Sequence, residues 1–128
     1  NVSWTCNSEA PALGTLTFLE EHRQNGTTEL GLLSGLDGTR DLAMAPGGSF
    51  VYATGAVEGA LATFSRASAD GGLTYLGRLL DDDTQGFLSV DGLAGANGLV
   101  VSPDGLNIYV AGESEDKIAI FTRSLANG

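Results

Sequence analysis

Hydrophobic and polar residues alternate in short runs along this chain, and turn residues punctuate the runs. The pattern is clearest over residues 99–121, LVVSPDGLNIYVAGESEDKIAIF. Leu99 and Val101 alternate with Val100 and Ser102, and Ile108 and Val110 with Asn107 and Tyr109. A period of two puts successive side chains on opposite faces of a strand. Val, Ile and Tyr suit that pleated surface. Between the two runs stands Ser102-Pro103-Asp104-Gly105. Pro103 fixes φ for a type I turn, and Gly105 accepts the left-handed conformation that follows. The two runs therefore form a hairpin with a one-residue bulge. Ile118, Ala119, Ile120 and Phe121 are all apolar, the mark of a strand covered on both faces. The pattern predicts that Leu42, Met44, Phe64, Leu99, Val101, Ile108, Val110, Ile118, Ile120 and Phe121 are mainly buried.

The pattern occurs twice. Shifted by 57 residues, positions 35–71 lie over 92–128 without a gap, and 14 of the 37 positions match. Unrelated chains of ordinary composition match at roughly one position in fifteen. The matches include Leu42 on Leu99, Pro46 on Pro103, Tyr52 on Tyr109, Phe64 on Phe121 and Arg66 on Arg123. A second shift, by 46, lays 15–33 over 61–79 with 7 matches in 19. The two shifts differ by 11, which twelve inserted residues at 80–91 in place of Ser34 would explain. The expected unit is thus about 46 residues, once with an enlarged loop. A four-strand unit of roughly 40–50 residues has the period of a propeller blade.

This reading divides the chain into three pieces. Residues 1–34 form a partial first blade with strands two to four, the third at 15–20 and the fourth at 28–33. Residues 35–80 form a complete second blade, with strands near 40–45, 49–54, 60–66 and 73–79. Residues 81–128 hold the acidic loop and a partial third blade with strands one to three. No segment has a helical period or a capped helix start. The expected fold class is all-β, with antiparallel four-stranded propeller-type blades in an incomplete propeller of about two and a half blades. Closed propellers have about 4–8 blades. Other copies of the chain, or adjacent chain segments, are therefore expected to cover the open sheet faces.

Composition narrows the partners. Sixteen acidic residues oppose six basic ones, a net charge of −10. That balance argues against nucleic acid, whose binding relies on Lys and Arg at phosphates. No run approaches the ~20 apolar residues of a membrane span, so no membrane insertion is expected. Cys6 is the single cysteine, so no intrachain disulfide forms; it reads as a small strand residue.

Few residues suggest chemistry. Asp81, Asp82 and Asp83, with Gln85 and Asp91 nearby, offer the hard oxygen ligands that Ca²⁺ prefers, but without EF-hand spacing. A solvated acidic turn is the plainer reading, and no cofactor is expected. His22 could act as a general base, with Glu20 and Glu21 as its nearest carboxylates; an exposed surface histidine is again the plainer reading. Asn25-Gly26-Thr27 and Asn1-Val2-Ser3 are N-glycosylation triplets. Asn25 lies in a turn, and Asn-Gly is also good turn chemistry. No catalytic, cofactor-binding or metal-binding residue is assigned.

The stretches VSPDGLNIYVAGESEDKIAIFTRSLANG and MAPGGSFVYATGAVEGALATFSRASADGGLTYLG resemble lactonase-type seven-bladed propellers and the related YVTN-type repeats of cell-surface proteins. Similar repeats occur in extracellular algal proteins, including mastigoneme components. In the lactonase-type enzymes the resemblance implies an active site in a central channel lined by several blades. Met44, Ala45 and Ser102 stand on the inner strands where polar ligands would be expected. The expectation is accordingly an extracellular or cell-surface structural and interaction module without hydrolase activity, a self-assembling glycoprotein that could build filaments. The alternatives are a section of a lactonase-like hydrolase and a carbohydrate- or protein-binding propeller.

Overall fold

The computed structural model describes residues 13–29 and 31–124. Among the described residues, eleven strands run in order: β1 (Thr27–Thr28), β2 (Gly31–Leu32), β3 (Thr39–Met44), β4 (Phe50–Gly55), β5 (Ala60–Arg66), β6 (Leu73–Leu80), β7 (Thr84–Gln85), β8 (Leu88–Ser89), β9 (Ala96–Val101), β10 (Asn107–Gly112) and β11 (Lys117–Thr122). A 3-10 turn, Glu113–Glu115, joins the last two. Strands β3 to β6 make one antiparallel sheet in chain order, and β9 to β11 make a second. The hairpins β1–β2 and β7–β8 stand apart from both. This is the all-β blade architecture that the alternating pattern predicts. Among the described residues no helix is long and apolar enough to cross a membrane.

The turns form where the sequence puts them. Gly105 N–H donates to the Ser102 carbonyl at 2.8 Å, and Gly105 takes φ +77°. In the first copy Gly48 N–H donates to Ala45 at 3.0 Å, and Gly48 takes φ +78°. Glycine is the residue that adopts this conformation without steric cost.

The 46-residue unit is corrected. The two small hairpins are equivalent at an offset of 57, because Thr27–Thr28 maps onto Thr84–Gln85 and Gly31–Leu32 onto Leu88–Ser89. Asn25 and Asp82 enter them with φ of +66° and +73°. Asn25 N–H donates to Leu33 at 2.8 Å, as Asp82 N–H donates to Val90 at 2.7 Å. Residues 80–91 are therefore a regular part of the repeat. Leu16-Thr17-Phe18-Leu19 then falls on Leu73-Thr74-Tyr75-Leu76 of β6. The expected strands at 15–20 and 28–33 are absent as such: 15–20 carries no strand pairing, and 28–33 folds into the β1–β2 hairpin.

Burial follows the stacking of the two sheets. One core lies between them, with Tyr52 and Leu61 of the first sheet against Leu93, Ala96, Leu99, Ile108 and Val110 of the second segment. A second core lies on the other side of the first sheet, around Leu33, Val51, Ala53, Ala62, Phe64 and Tyr75. Leu99, Ile108, Val110 and Phe64 are buried as expected, and Val101 and Phe121 are half-buried. Leu42, Met44, Ile118 and Ile120 are not: they are 62%, 54%, 70% and 64% exposed. Leu42 and Met44 are the repeat equivalents of Leu99 and Val101, which pack on the neighbouring sheet. No described residue gives Leu42 and Met44 the same cover. Ile118 and Ile120 point to the outer face of the second sheet, which is likewise uncovered among the described residues.

Candidate functional site

The first strands of the two sheets, β3 and β9, lie side by side. Both are sheet-edge strands. A polar junction locks them together. Asp41 Oδ2 accepts from Leu99 N–H at 2.9 Å, and Oδ1 accepts from Leu42 N–H at 2.9 Å. The Thr54 hydroxyl accepts from Asp41 N–H at 3.1 Å and donates to the Asn97 carbonyl at 2.8 Å. Thr54 is fully buried, so this hydroxyl is satisfied on both sides, as a buried polar group must be.

Beside that junction, Arg40 and Asn97 hold the same position of the repeat, one residue into each strand. Asn97 Nδ2 donates to Glu113 Oε1 at 2.9 Å. Glu113 opens the 3-10 turn after β10, and β10 ends against the start of β9 through Gly112 and Ala96. Arg40 is exposed and makes no ion pair or side-chain hydrogen bond among the described residues. Arg23, Arg78 and Lys117 face carboxylates, and Arg66 and Arg123 face backbone carbonyls. Among the described residues, Arg40 is thus the one Lys or Arg without a partner. The start of β9 accordingly presents an amide and a carboxylate held together, and the start of the adjacent β3 carries a guanidinium; such groups bind anionic or polyhydroxylated ligands.

The inner-strand positions that the sequence singles out, Met44, Ala45 and Ser102, lie at the opposite ends of these strands. Met44 ends β3 and is exposed, Ala45 is buried, and the Ser102 hydroxyl donates to Asp104 Oδ1 at 2.6 Å inside its turn. The available signal was positional: 40 and 97 are polar equivalents at strand starts that become apolar further on.

His22 is half-buried rather than surface-exposed. Its Nε2 lies 2.7 Å from Glu20 Oε2, and its ring meets Phe64 edge-on with centroids 5.6 Å apart. Glu20 also accepts from Leu73 N–H at 2.9 Å. That amide and His22 hold the Glu20 carboxyl below its usual range. Glu21 faces Arg23 instead, at 3.8 Å. At the offset of 57, His22 stands where Leu79 packs in the next copy. It borders a cleft of about 490 Å³ with Leu36, Leu42, Ala53 and Phe64.

The three aspartates of the acidic turn diverge. Asp81 Oδ1 accepts from Leu93 N–H at 2.9 Å, Asp83 Oδ2 accepts from Leu80 N–H at 2.7 Å, and Asp82 takes the left-handed turn position. Gln85 pairs with Leu88 in the β7–β8 hairpin. Asp81 instead approaches Asp91 and Glu115, their carboxylate oxygens within 4.8 Å of one another. Lys117 Nζ lies 2.9 Å from Asp91 and 2.8 Å from Glu115. It holds the Asp91 carboxyl down, and the carboxylates raise the ammonium. The site carries its own cation. Asn25 lies in an exposed turn. Asn1 and Cys6 lie outside the described residues.

The family model for the lactonase seven-bladed β-propeller matches residues 15–128. The chain belongs to this lactonase family. Its solved structural neighbours agree. The proposed 6-phosphogluconolactonase of Bacteroides uniformis is 30% identical with a TM-score of 0.60, over 77% of this chain and 26% of that one. The proposed 6-phosphogluconolactonase of Bacteroides fragilis is 26% identical with a TM-score of 0.58, over 80% and 27%. The periplasmic gluconolactonase of Pseudomonas aeruginosa is 26% identical with a TM-score of 0.56, over 80% and 28%. The chain thus spans about a quarter of the length of these lactonase-like structures. No curated protein matches it. The lactonase family match overturns the expectation of a chain without hydrolase character, and it favours the lactonase-like alternative over a structural module.

Proposed function

We propose that this chain is a section of a lactonase-type propeller that hydrolyses a small sugar lactone in its central channel. The observation that carries this reading is the Asn97–Glu113 pair at the start of β9, with Arg40, which makes no ion pair or side-chain hydrogen bond among the described residues, at the equivalent position of the adjacent strand β3. Lactone hydrolysis adds water to the ring carbonyl, breaks the ring C–O bond and releases a hydroxy acid. Negative charge develops on the carbonyl oxygen, and the Arg40 guanidinium would stabilise it by closing on the bound substrate. Glu113, oriented by Asn97, supplies a carboxylate able to take the proton of the attacking water. The names of the structural neighbours support an aldonolactone as substrate class.

The partners in this reading are adjacent chain segments: further blades of the same polypeptide meet the faces of Leu42 and Met44 and of Ile118 and Ile120. The reading also places the protein outside the cytoplasm, as its periplasmic neighbour is named.

The test is acid release from gluconolactone by the full-length protein, with Arg40→Gln alongside. The expected result is saturable hydrolysis, reduced about 100- to 1,000-fold in kcat/KM by the substitution, as for loss of one charge-stabilising donor. A full-length protein that leaves lactones at their spontaneous rate would refute the reading.

A further inference from the structure

We propose that Asn25 is an acceptor for N-linked oligosaccharide, in one of two equivalent turns of the repeat. The geometry separates what the turn needs from what its side chain is free to do. The turn needs a residue that tolerates positive φ, and Asn25 at +66° and Asp82 at +73° both meet that need. Backbone bonds close it around Asn25. Asn25 N–H donates to Leu33 at 2.8 Å, Leu33 N–H to Gly26 at 2.7 Å, and Gly26 N–H to Arg23 at 3.0 Å. The Asn25 side chain donates no hydrogen bond among the described residues and is exposed to solvent. Thr27, two residues on, is exposed as well and opens β1. The Asn-Gly-Thr triplet therefore leaves both residues that the transfer requires exposed at the start of a short hairpin. The equivalent Asp82-Asp83-Thr84 keeps the fold of the turn without an acceptor amide.

In the transfer, the Asn25 amide nitrogen forms a bond to the anomeric carbon of a lipid-diphosphate-linked oligosaccharide. The bond from that carbon to the diphosphate breaks, the diphosphate leaves with its electron pair, and the amide loses one proton. Gly26 also makes Asn25 a site for spontaneous loss of ammonia, because the Gly26 nitrogen can attack the side-chain amide. The 3.0 Å bond from that N–H to Arg23 holds the nitrogen out of this reaction in the folded chain.

The experiment passes the full chain through the secretory pathway of a eukaryotic cell and maps peptides from both cell-retained and secreted material. The expected result is a glycan on the Asn25 peptide, removed by peptide-N-glycosidase with conversion of Asn25 to Asp. Thr27→Ala should abolish it, and Thr27→Ser should retain it. An Asn25 peptide that is unmodified or merely deamidated, or a glycan that survives Thr27→Ala, would overturn the proposal. The Asn1 triplet lies on a separate peptide and does not confuse the readout.

Discussion

Strands β4 and β10 are the same element of the repeat, yet they meet different surroundings. In β4, Val51 to Gly55 are buried on both faces. In β10, burial alternates: Ile108, Val110 and Gly112 are buried, and Tyr109 and Ala111 are exposed. Tyr52 is 1% exposed and its equivalent Tyr109 is 37%. Leu61 is 3% exposed and its equivalent Ile118 is 70%. The residue types scarcely differ, so the difference lies in the neighbour. A blade is two-sided, and each of its faces is completed by a different sheet. The alternating pattern gives the strand but not the occupancy of either face.

Substitutions at paired positions break this comparison most sharply. Leu61→Ala removes a large side chain from the core between the sheets and should cost about 2–4 kcal/mol. Ile118→Ala in the 128-residue chain should stay within about 1 kcal/mol, because an exposed side chain leaves no cavity. Urea denaturation midpoints measure both. Repeating Ile118→Ala in the full-length protein sharpens the point: a covered face should raise its cost toward that of Leu61→Ala.

The next largest effect is expected at the two arginines. Arg123 is buried; its Nε donates to the Tyr52 hydroxyl at 2.6 Å and its Nη1 to the Gly105 carbonyl at 2.7 Å. Its guanidinium also lies over the Phe50 ring at 5.4 Å. Arg66, its equivalent, reaches the Gly48 carbonyl at 3.2 Å and is half-buried. Arg123→Ala should cost about 2 kcal/mol, since it removes two charge-assisted hydrogen bonds made by a buried guanidinium. Arg66→Ala should cost within about 0.5 kcal/mol. A double-mutant cycle of Arg123→Ala with Tyr52→Phe should show coupling.

The smallest effect separates the two turns by pH. The Ser102 hydroxyl, then the Leu106 N–H, hold the Asp104 carboxyl below its ordinary value. A carboxyl depressed in the folded state adds stability above its unfolded pKa and loses it as pH falls through the folded value. Stability should therefore decline slightly more on acidification in the wild type than in Asp104→Gly. The equivalent residue in the first turn is Gly47, so that turn contributes no such dependence. Thermal midpoints across the acid range measure the difference.

Much of the fold was legible because the turn chemistry and the alternation are local. Pro46 with Gly48 and Pro103 with Gly105 mark their hairpins, and Phe64 is buried where its pattern puts it. What was hidden depends on contacts far apart in the chain. Leu42 and Leu99 look alike in sequence and differ in what lies opposite. His22 sits at a position filled by Leu79 in the next copy, which its own neighbours in the sequence do not announce. Asn97 and Glu113 meet because β10 ends against the start of β9, a pairing that their separation in the sequence does not announce.

The Arg123–Tyr52 bond also bears on the order of folding. It joins residues 71 apart in the chain, whereas β3 to β6 pair each with the next in sequence. Local pairings close short loops and form fast; distant ones bear a larger closure entropy and form late. Each sheet can therefore assemble before the two dock, with Tyr52 already in place when Arg123 arrives. The second sheet then docks onto a finished template, and the arginine acts as the latch on the last step.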